Sequence, residues 1–333
     1  MRKIFLIIVL TIIFLYPNSL KASYRTVIDT EGRAVKIPQK VERAVVLSGT
    51  CIETVYILNA IDKVVGISQG IRDSQLMPVL IPQLKKIPVV AQSTATVNLE
   101  AILALKPDIL ITMGPEHTIV GMSNQTVERI EGYGIPVILL NLKSLDENYY
   151  SIELLGKIFQ NERKAQELIQ HMKRVFNEVQ GKLKKIPPSK RVKALYVSGN
   201  NPNFIAGGYW GDQDIRVLAG GINVASEIPQ FMTTVSSEQI SIWNPDVITI
   251  SVAAKYNPKD IYENPHFKNI NAVKNKRVYK HPYHIAGLFT PRVVLLQAWH
   301  ASKFYPELGI DWVRIADDFF RKFYGMPYYG PKE

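Results

Sequence analysis

Three histidines sit in stretches whose flanks predict loops: His117 in GPEHT, and His281 and His284 in HPYHIAGLF. Imidazole is a common metal ligand, but a resident metal site needs three or four ligands that converge. The chain has no His-x-x-x-His or Cys-x-x-Cys pair, and His281 and His284 stand three apart in an irregular loop. Each therefore reads as a loop or core histidine. One further role stays open for His117, His281 and His284: completing the coordination of a metal that a small molecule already chelates. His171, His266 and His300 fall on or near predicted helices and receive no ligand role. Arg72, in QGIRDSQL, offers a planar donor fork to an anion, and a solvated loop arginine is the competing reading. Arg292 follows Pro291 at a predicted helix start, where the dipole disfavours a cation. That position points to a specific partner, a carboxylate or a backbone carbonyl. Cys51 is the only cysteine, so it has no internal disulfide partner and reads as a small buried residue. No GxGxxG, P-loop or GxSxG motif occurs, and no acid–base pair is evident. The expectation is that the chain is not an enzyme, with an exported enzyme on a doubly wound fold as the remote alternative.

These residues hang on alternating short apolar runs and helical periods. RAVVLS (43–48), VVGIS (64–68), ILITM (109–113) and PVILL (136–140) read as buried strands separated by helices, after a β-hairpin over 26–37. The pattern restarts with VKALYVS (192–198), VITISV (247–252) and RVYK (277–280). Such alternation predicts βα units and mostly parallel sheets. NLEAILALKPDILIT (98–112) and SSEQISIWNPDVITI (236–250) share Glu-x-Ile-x-x-x-x-Pro-Asp-[Ile/Val]. A helix capped by Asn or Ser and starting with Glu, a Pro-Asp turn and a buried strand repeat in that order. Two related lobes explain the repeat. Between the copies, residues 161–186 carry apolar residues at a 3.6 period for about six turns, roughly 37 Å of helix. Asn161 is placed to cap it and Pro187-Pro188 stops it.

The 333 residues suffice for two cores, and 47 % hydrophobic with 21 % charged residues is ordinary for a globular protein. Arg2-Lys3, the apolar run IFLIIVLTIIFLY and Ala22 predict a cleavable signal peptide over 1–22. Cys51 is not beside it, so no lipid-anchor cysteine is expected. Export without disulfides suits a bacterial periplasm. The formal charge of +11 falls to +8 once Arg2, Lys3 and Lys21 are removed. The remaining cations are scattered, with a modest run at 182–193, and include no nucleic-acid reader motif. That balance favours anionic small ligands or plain surface charge.

The order DTEGRAVKIPQKVERAVVL, DKVVGIS, NLEAILALKPDILI, GIPVILL, the long helix, AGGINVA, VSSEQISIWNPDVITI, NAVKNKRVY and TPRVVLLQAWHASKFYPEL resembles a known family over nearly the whole mature chain. It is similar to the periplasmic binding proteins of ABC importers for iron–siderophore, haem and cobalamin. The resemblance implies two Rossmann-like α/β lobes with mostly parallel sheets, joined by one long rigid helix. The expected division is 23–144, N-terminal lobe; 145–187, helical connector including the strut 161–186; and 188–333, C-terminal lobe. It implies a metal chelate as ligand, ferric-siderophore-like first and nickel or cobalt second, with haem, cobalamin or an oxyanion as alternatives. The expected form is a monomer that meets a permease dimer at the inner membrane. By motif match, Glu100 and Glu238 are the rim carboxylates that dock on permease arginines. The helix 161–186 is expected to touch neither ligand nor permease.

Ligands of open α/β lobes lie beyond the carboxyl ends of the strands. The candidate loops are therefore those of Arg72, Met113 and His117 in the first lobe. In the second they carry Tyr209, Trp210, Tyr256, His281, Tyr283 and His284. GNNPNFIAGG resembles the family's first ligand loop of the second lobe, which adds Phe204. Aromatic walls with few polar groups suit a bulky chelate or macrocycle.

Overall fold

The computed structural model describes residues 23–115, 121–141, 143–287 and 290–332, leaving aside the Asp212 side chain. The predicted signal peptide and His117 lie outside the described residues. An antiparallel hairpin, β1 (Tyr24–Ile28) and β2 (Ala34–Pro38), opens the chain. β3 (Ala44–Val46), β4 (Val64–Ser68), β5 (Val89–Ala91), β6 (Ile109–Met113) and β7 (Val137–Leu140) form a five-stranded sheet. Its order is β5-β4-β3-β6-β7, and every pairing is parallel.

The second sheet begins at β8 (Lys193–Val197) and continues with β9 (Phe204–Ala206), β10 (Ile222–Asn223), β11 (Met232–Thr234), β12 (Val247–Ile250) and β13 (Val278–Lys280). Its order is β11-β9-β8-β12-β13, with β10 beside the start of β8. β8, β10, β12 and β13 run parallel, whereas β9 is antiparallel to both of its neighbours, β8 and β11. In each sheet the chain leaves its first strand to one side and returns on the other. The switch points lie between β3 and β6, and between β8 and β12.

Between the sheets run two helices, Leu145–Phe159 and Glu162–Leu183. They are parted at Gln160, which takes a left-handed φ of 57°. The apolar stripe of the second helix (Ala165, Leu168, Met172, Val175 and Val179) is buried. Asn161 does not cap this helix with its side chain; its amide instead donates to the Leu58 carbonyl at 2.6 Å. The rod is thereby tied to the first lobe, while Lys182 at its other end donates to Gly309 O in the second.

One hydrophobic core runs from the face of the first sheet (Ala44, Ile67, Ile111, Ile138), through both connecting helices, into Val293–Phe304 and Trp312–Tyr324. Each sheet keeps a separate core on its other face. A buried ion pair crosses the shared core. Arg292 Nε and Nη2 donate to the two Glu53 carboxylate oxygens, each at 2.9 Å, with the residues 2 % and 0 % exposed. Arg292 also donates to the carbonyls of His284 and Ala286, and the Tyr324 hydroxyl donates to Glu53. The specific partner expected for Arg292 is thus a carboxylate supported by backbone carbonyls. Burial opposes its charge, but the Glu53 carboxylate, Tyr324 and Tyr283 together outweigh burial and hold the guanidinium pKa above its ordinary value.

Candidate functional site

The Pro-Asp repeat has the same geometry in both lobes. Asn98 Oδ1 accepts from Ala101 N at 3.0 Å and Ser236 Oγ from Gln239 N at 3.1 Å, capping Leu99–Ala104 and Ser237–Trp243. Lys106 and Asn244, each just before the proline, take left-handed φ angles of 45° and 44°. Asp108 Oδ2 then accepts from Glu42 N and Arg43 N, and Asp246 Oδ2 from Lys193 N. The Asp therefore pins the turn to the chain entering the first strand of its own lobe. Glu100 and Glu238 occupy the first turns of these helices and are exposed. The Glu238 carboxyl is held below its ordinary range by its own backbone N–H and then by the Ser236 hydroxyl.

A cavity of about 880 Å³ opens at the carboxyl ends of β8 and β12, the switch point of the second sheet. Tyr196, Ser198, Ser251 and Ala253 form its floor. Phe204, Tyr209, Trp210 and Phe231 make an aromatic wall. Tyr209, Trp210 and Phe231 meet edge to face, with ring centroids 4.9 to 6.2 Å apart. Lys143, Ser144, Leu145 and Asn148, at the start of the first connecting helix, line the side facing the first lobe.

The local fold that presents the aromatic wall depends on two glycines. Gly207 N donates to Phe231 O at 3.1 Å and Gly208 N to Ile228 O at 2.6 Å. A Cβ on Gly207 would strike the Gln230 and Ile228 carbonyls, and one on Gly208 the Ser226 carbonyl. Beneath them Arg216, itself buried, donates through Nε to Asp214 Oδ1 at 2.7 Å and through both terminal nitrogens to the carbonyls of Ala206 and Gly207. Asn223 donates to the same Gly207 carbonyl at 2.9 Å. The buried pair is consumed in holding the loop, so it offers the cavity shape rather than a free charge.

Of the residues expected to line a ligand site, the structure brings Phe204, Tyr209 and Trp210 to this cavity. Others lie elsewhere among the described residues. Arg72 ends the short helix Gln69–Arg72, and its Nη2 donates to the Ile87 carbonyl, steadying the approach to β5. Met113 is the last residue of β6 and is buried in the core. Tyr256 is buried, its hydroxyl donating to Ser198 O at 2.9 Å behind the cavity floor. Tyr283 lies within 3.4 Å of Ser74 Oγ, a contact from the second lobe to the first. His284 packs edge to face on Tyr329, with centroids 4.5 Å apart. Burial, and then Arg292, lowers its pKa.

His281 is buried against Trp299 and His300. The His300 Nδ1–H donates to Leu296 O at 2.9 Å, so its Nε2 accepts from His281 Nε2–H at 3.0 Å. Burial lowers both pKa values, that of His300 to about 4. This pair is core structure rather than a metal site. Among the described residues no group of three His, Cys, Asp or Glu side chains converges to hold a metal. Cys51 is buried, its thiol pushed up to about 12 by burial. Sequence reasoning missed Tyr196, Phe231 and Asn148. The period-2 pattern could have turned Tyr196 out of VKALYVS, but nothing local marks the other two as cavity residues.

Two switch-point sheets, a core shared through a long helix, and a cavity at one set of strand ends define a two-lobe solute-binding architecture. The periplasmic binding protein family matches residues 45–283, and the chain belongs to that family. It is of the class of substrate-binding components of ABC importers. The chain is 24 % identical over 331 residues to the molybdate-binding protein MolA of Haemophilus influenzae, covering 91 % of this chain and 92 % of that protein. The structure of MolA bound to molybdate superposes with a TM-score of 0.78 at 25 % identity, over 92 % of this chain and all of that one. Helicobacter pylori CeuE with Ni(II) bound gives a TM-score of 0.76 at 25 % identity, over 91 % and 97 % of the two chains. These relatives are solute-binding proteins of transporters, not enzymes. No helix among the described residues is long and apolar enough to cross a membrane.

Proposed function

We propose that this protein captures an organic metal chelate in the periplasm and delivers it to an ABC permease. Export by cleavage of residues 1–22 is part of this reading. The observation that carries it is the cavity: about 880 Å³ with four aromatic side chains on its wall. A bare oxyanion fills little of such a space and gains nothing from aromatic faces, whereas a chelate with an organic periphery gains from both. Iron(III) is the first metal and nickel or cobalt the second, with haem and cobalamin as larger alternatives. A specific observation favours a second reading, an oxyanion of the molybdate class: the similarity to MolA extends over more than nine-tenths of both chains.

Trp210 on the cavity wall supplies the test. The tryptophan fluorescence, to which Trp210 contributes together with Trp243, Trp299 and Trp312, is titrated with ferric siderophores, haem, cobalamin, nickel–histidine and molybdate. Saturable quenching by a chelate, without turnover, is the expected result. Response to molybdate alone selects the second reading, and no response to any member rejects the chelate. Delivery is assigned to Glu100 and Glu238, one on each rim. Reversing both to Arg should abolish uptake and leave ligand affinity unchanged; a loss of affinity would mean that these carboxylates serve the cavity instead. The domain division 23–144, 145–187 and 188–333 belongs to the same proposal. The extension of one core through the connector supports a small closing motion in place of a wide hinge.

A further inference from the structure

Four polar or charged side chains that line the cavity are more than nine-tenths buried: Asn148, Asp214, Arg216 and Ser251. Three of them are spent on the protein. Asp214 and Arg216 bind each other and the loop, and Ser251 Oγ accepts from Ala253 N at 3.1 Å. Asn148 differs. It is 3 % exposed, and its side-chain amide makes no hydrogen bond among the described residues. Only its backbone is engaged, donating to Ser144 O at 3.0 Å. Neither atom of this amide is among the fully buried unpartnered ones, so the amide reaches the cavity space and is open to a partner there.

Its position gives the partner's chemistry. Ser144, Leu145 and Asn148 fall on one face at the start of the 15-residue helix Leu145–Phe159, and all three line the cavity. Ser144 Oγ caps that helix by accepting from Glu147 N at 3.1 Å. The positive end of the helix dipole therefore faces the cavity, with Lys143 beside it. Of the two first-turn carboxylates, Asp146 and Glu147, neither lines the cavity, and Glu147 accepts from Lys143 N at 2.6 Å; the Leu145 N–H is met by Gln213 Oε1 at 3.4 Å. An oxygen acceptor is stabilised at this end, and a cationic donor is not.

We propose that Asn148 is a specificity-determining residue of this cavity, donating its amide N–H to an oxygen acceptor of the bound ligand. The acceptor is a carboxylate, hydroxamate or amide oxygen at the edge of a chelate whose apolar body rests on Tyr209, Trp210 and Phe231. A free oxyanion would offer the same chemistry. The proposal rests on the reading of this cavity as the ligand site.

The test uses the purified protein and two variants of similar shape, Asn148→Leu and Asn148→Asp. Melting is recorded without ligand, and binding is measured by tryptophan fluorescence with an iron(III) tris-hydroxamate and with molybdate. Asn148→Leu should melt no lower than the parent, because the amide makes no hydrogen bond to the protein, and should bind the responding probe at least tenfold more weakly. Asn148→Asp should bind more weakly still, since a carboxylate repels an acceptor. Whichever probe responds distinguishes a chelate from a free oxyanion. Melting of Asn148→Leu several degrees below the parent overturns the proposal, since the amide would then be structural. Affinities unchanged in both variants, or tighter binding by Asn148→Asp, overturn it too. If the parent binds neither probe, the siderophore and oxyanion arms of the functional reading fail by themselves. The melting comparison then decides about Asn148: a fall rejects the proposal, and an unchanged or raised midpoint supports it.

Discussion

The two lobes agree at their rims and part company at their strand ends. At the rim, Asn98 and Ser236 cap equivalent helices, Lys106 and Asn244 take the same left-handed turn, and Asp108 and Asp246 pin that turn to the neighbouring chain. At the carboxyl ends of the first lobe, Arg72 is tied to Ile87 and Met113 is core. The second lobe inserts the antiparallel pair β9 and β11 and raises an aromatic wall on it. The difference separates two demands on one βα framework. The rims follow one contiguous unit repeated in both lobes, while the strand ends are set by loops that differ between them.

The sharpest way to break this pairing is to cut what joins the lobes. Glu53 lies in the helix Gly49–Ile57 of the first lobe, and Arg292 precedes the helix Val293–Phe304 of the second. Glu53→Ala should cost about 3–5 kcal/mol, because it strands a buried guanidinium. Thermal melting should show a fall of roughly 6–20 °C. The double change Glu53→Met with Arg292→Met should recover most of the loss. A small effect of Glu53→Ala would mean that the shared apolar core alone holds the lobes.

Acid should strike the second lobe and the connector. His300 and His171 have pKa values lowered to about 4 by burial, and that of His281 is lowered as well. His171 sits between Phe319 and Phe323, with Arg174 donating to its Nδ1 at 3.0 Å. Each folds in the neutral form. The stability this confers is complete above the ordinary histidine pKa near 6.5 and is lost as pH falls from there toward 4. For His300 alone the loss by pH 4 is about 3 kcal/mol. Melting followed from pH 7 to pH 4 should decline, and His300→Gln should flatten the decline. A slope unchanged by that variant would place the acid response elsewhere.

Gly208→Ala tests the aromatic wall. The added Cβ collides with the Ser226 carbonyl, and overpacking of this kind costs about 1–3 kcal/mol. Ligand affinity should fall together with the melting midpoint, because the loop that holds Tyr209 and Trp210 must move. A variant that melts lower yet binds with the parent's affinity would take Trp210 out of the ligand site.

How far these features were legible depends on where their partners lie in the chain. The repeat was readable because each copy is one contiguous helix–turn–strand unit, with cap, proline and aspartate at fixed spacing. Tyr209 and Trp210 were readable as aromatics in a glycine-bearing loop, and Phe204 through the resemblance of that loop. Phe231 was not, since it reaches the cavity only because β11 pairs with β9. Asn148 sits in an ordinary first helical turn, and only the three-dimensional path of the chain sets it against the cavity. Arg72 and His281 mislead for the opposite reason. Both directly follow buried strands or their short extensions, so their side chains turn back onto protein: Arg72 onto Ile87 O, His281 onto Trp299 and His300.

The smallest effect tests the agreement between the lobes most closely. Asn98→Ala and Ser236→Ala each remove one side-chain acceptor at a helix N-terminus, where loss of a cap typically costs about 1 kcal/mol. Both helices are short and exposed at the cap, and both are held at the far end by a left-handed residue and a pinned aspartate. Equivalent surroundings should give equal losses, within about half a kcal/mol, and their sum in the double variant, since the sites belong to separate lobes. Ser236 also helps to hold the Glu238 carboxyl ionised, so Ser236→Ala should raise the Glu238 pKa. Carbon-detected NMR titration of the carboxyl reports this directly. Markedly unequal losses would show that the shared motif fixes the course of the backbone but not its energetics, and the two rims would then be alike in shape alone.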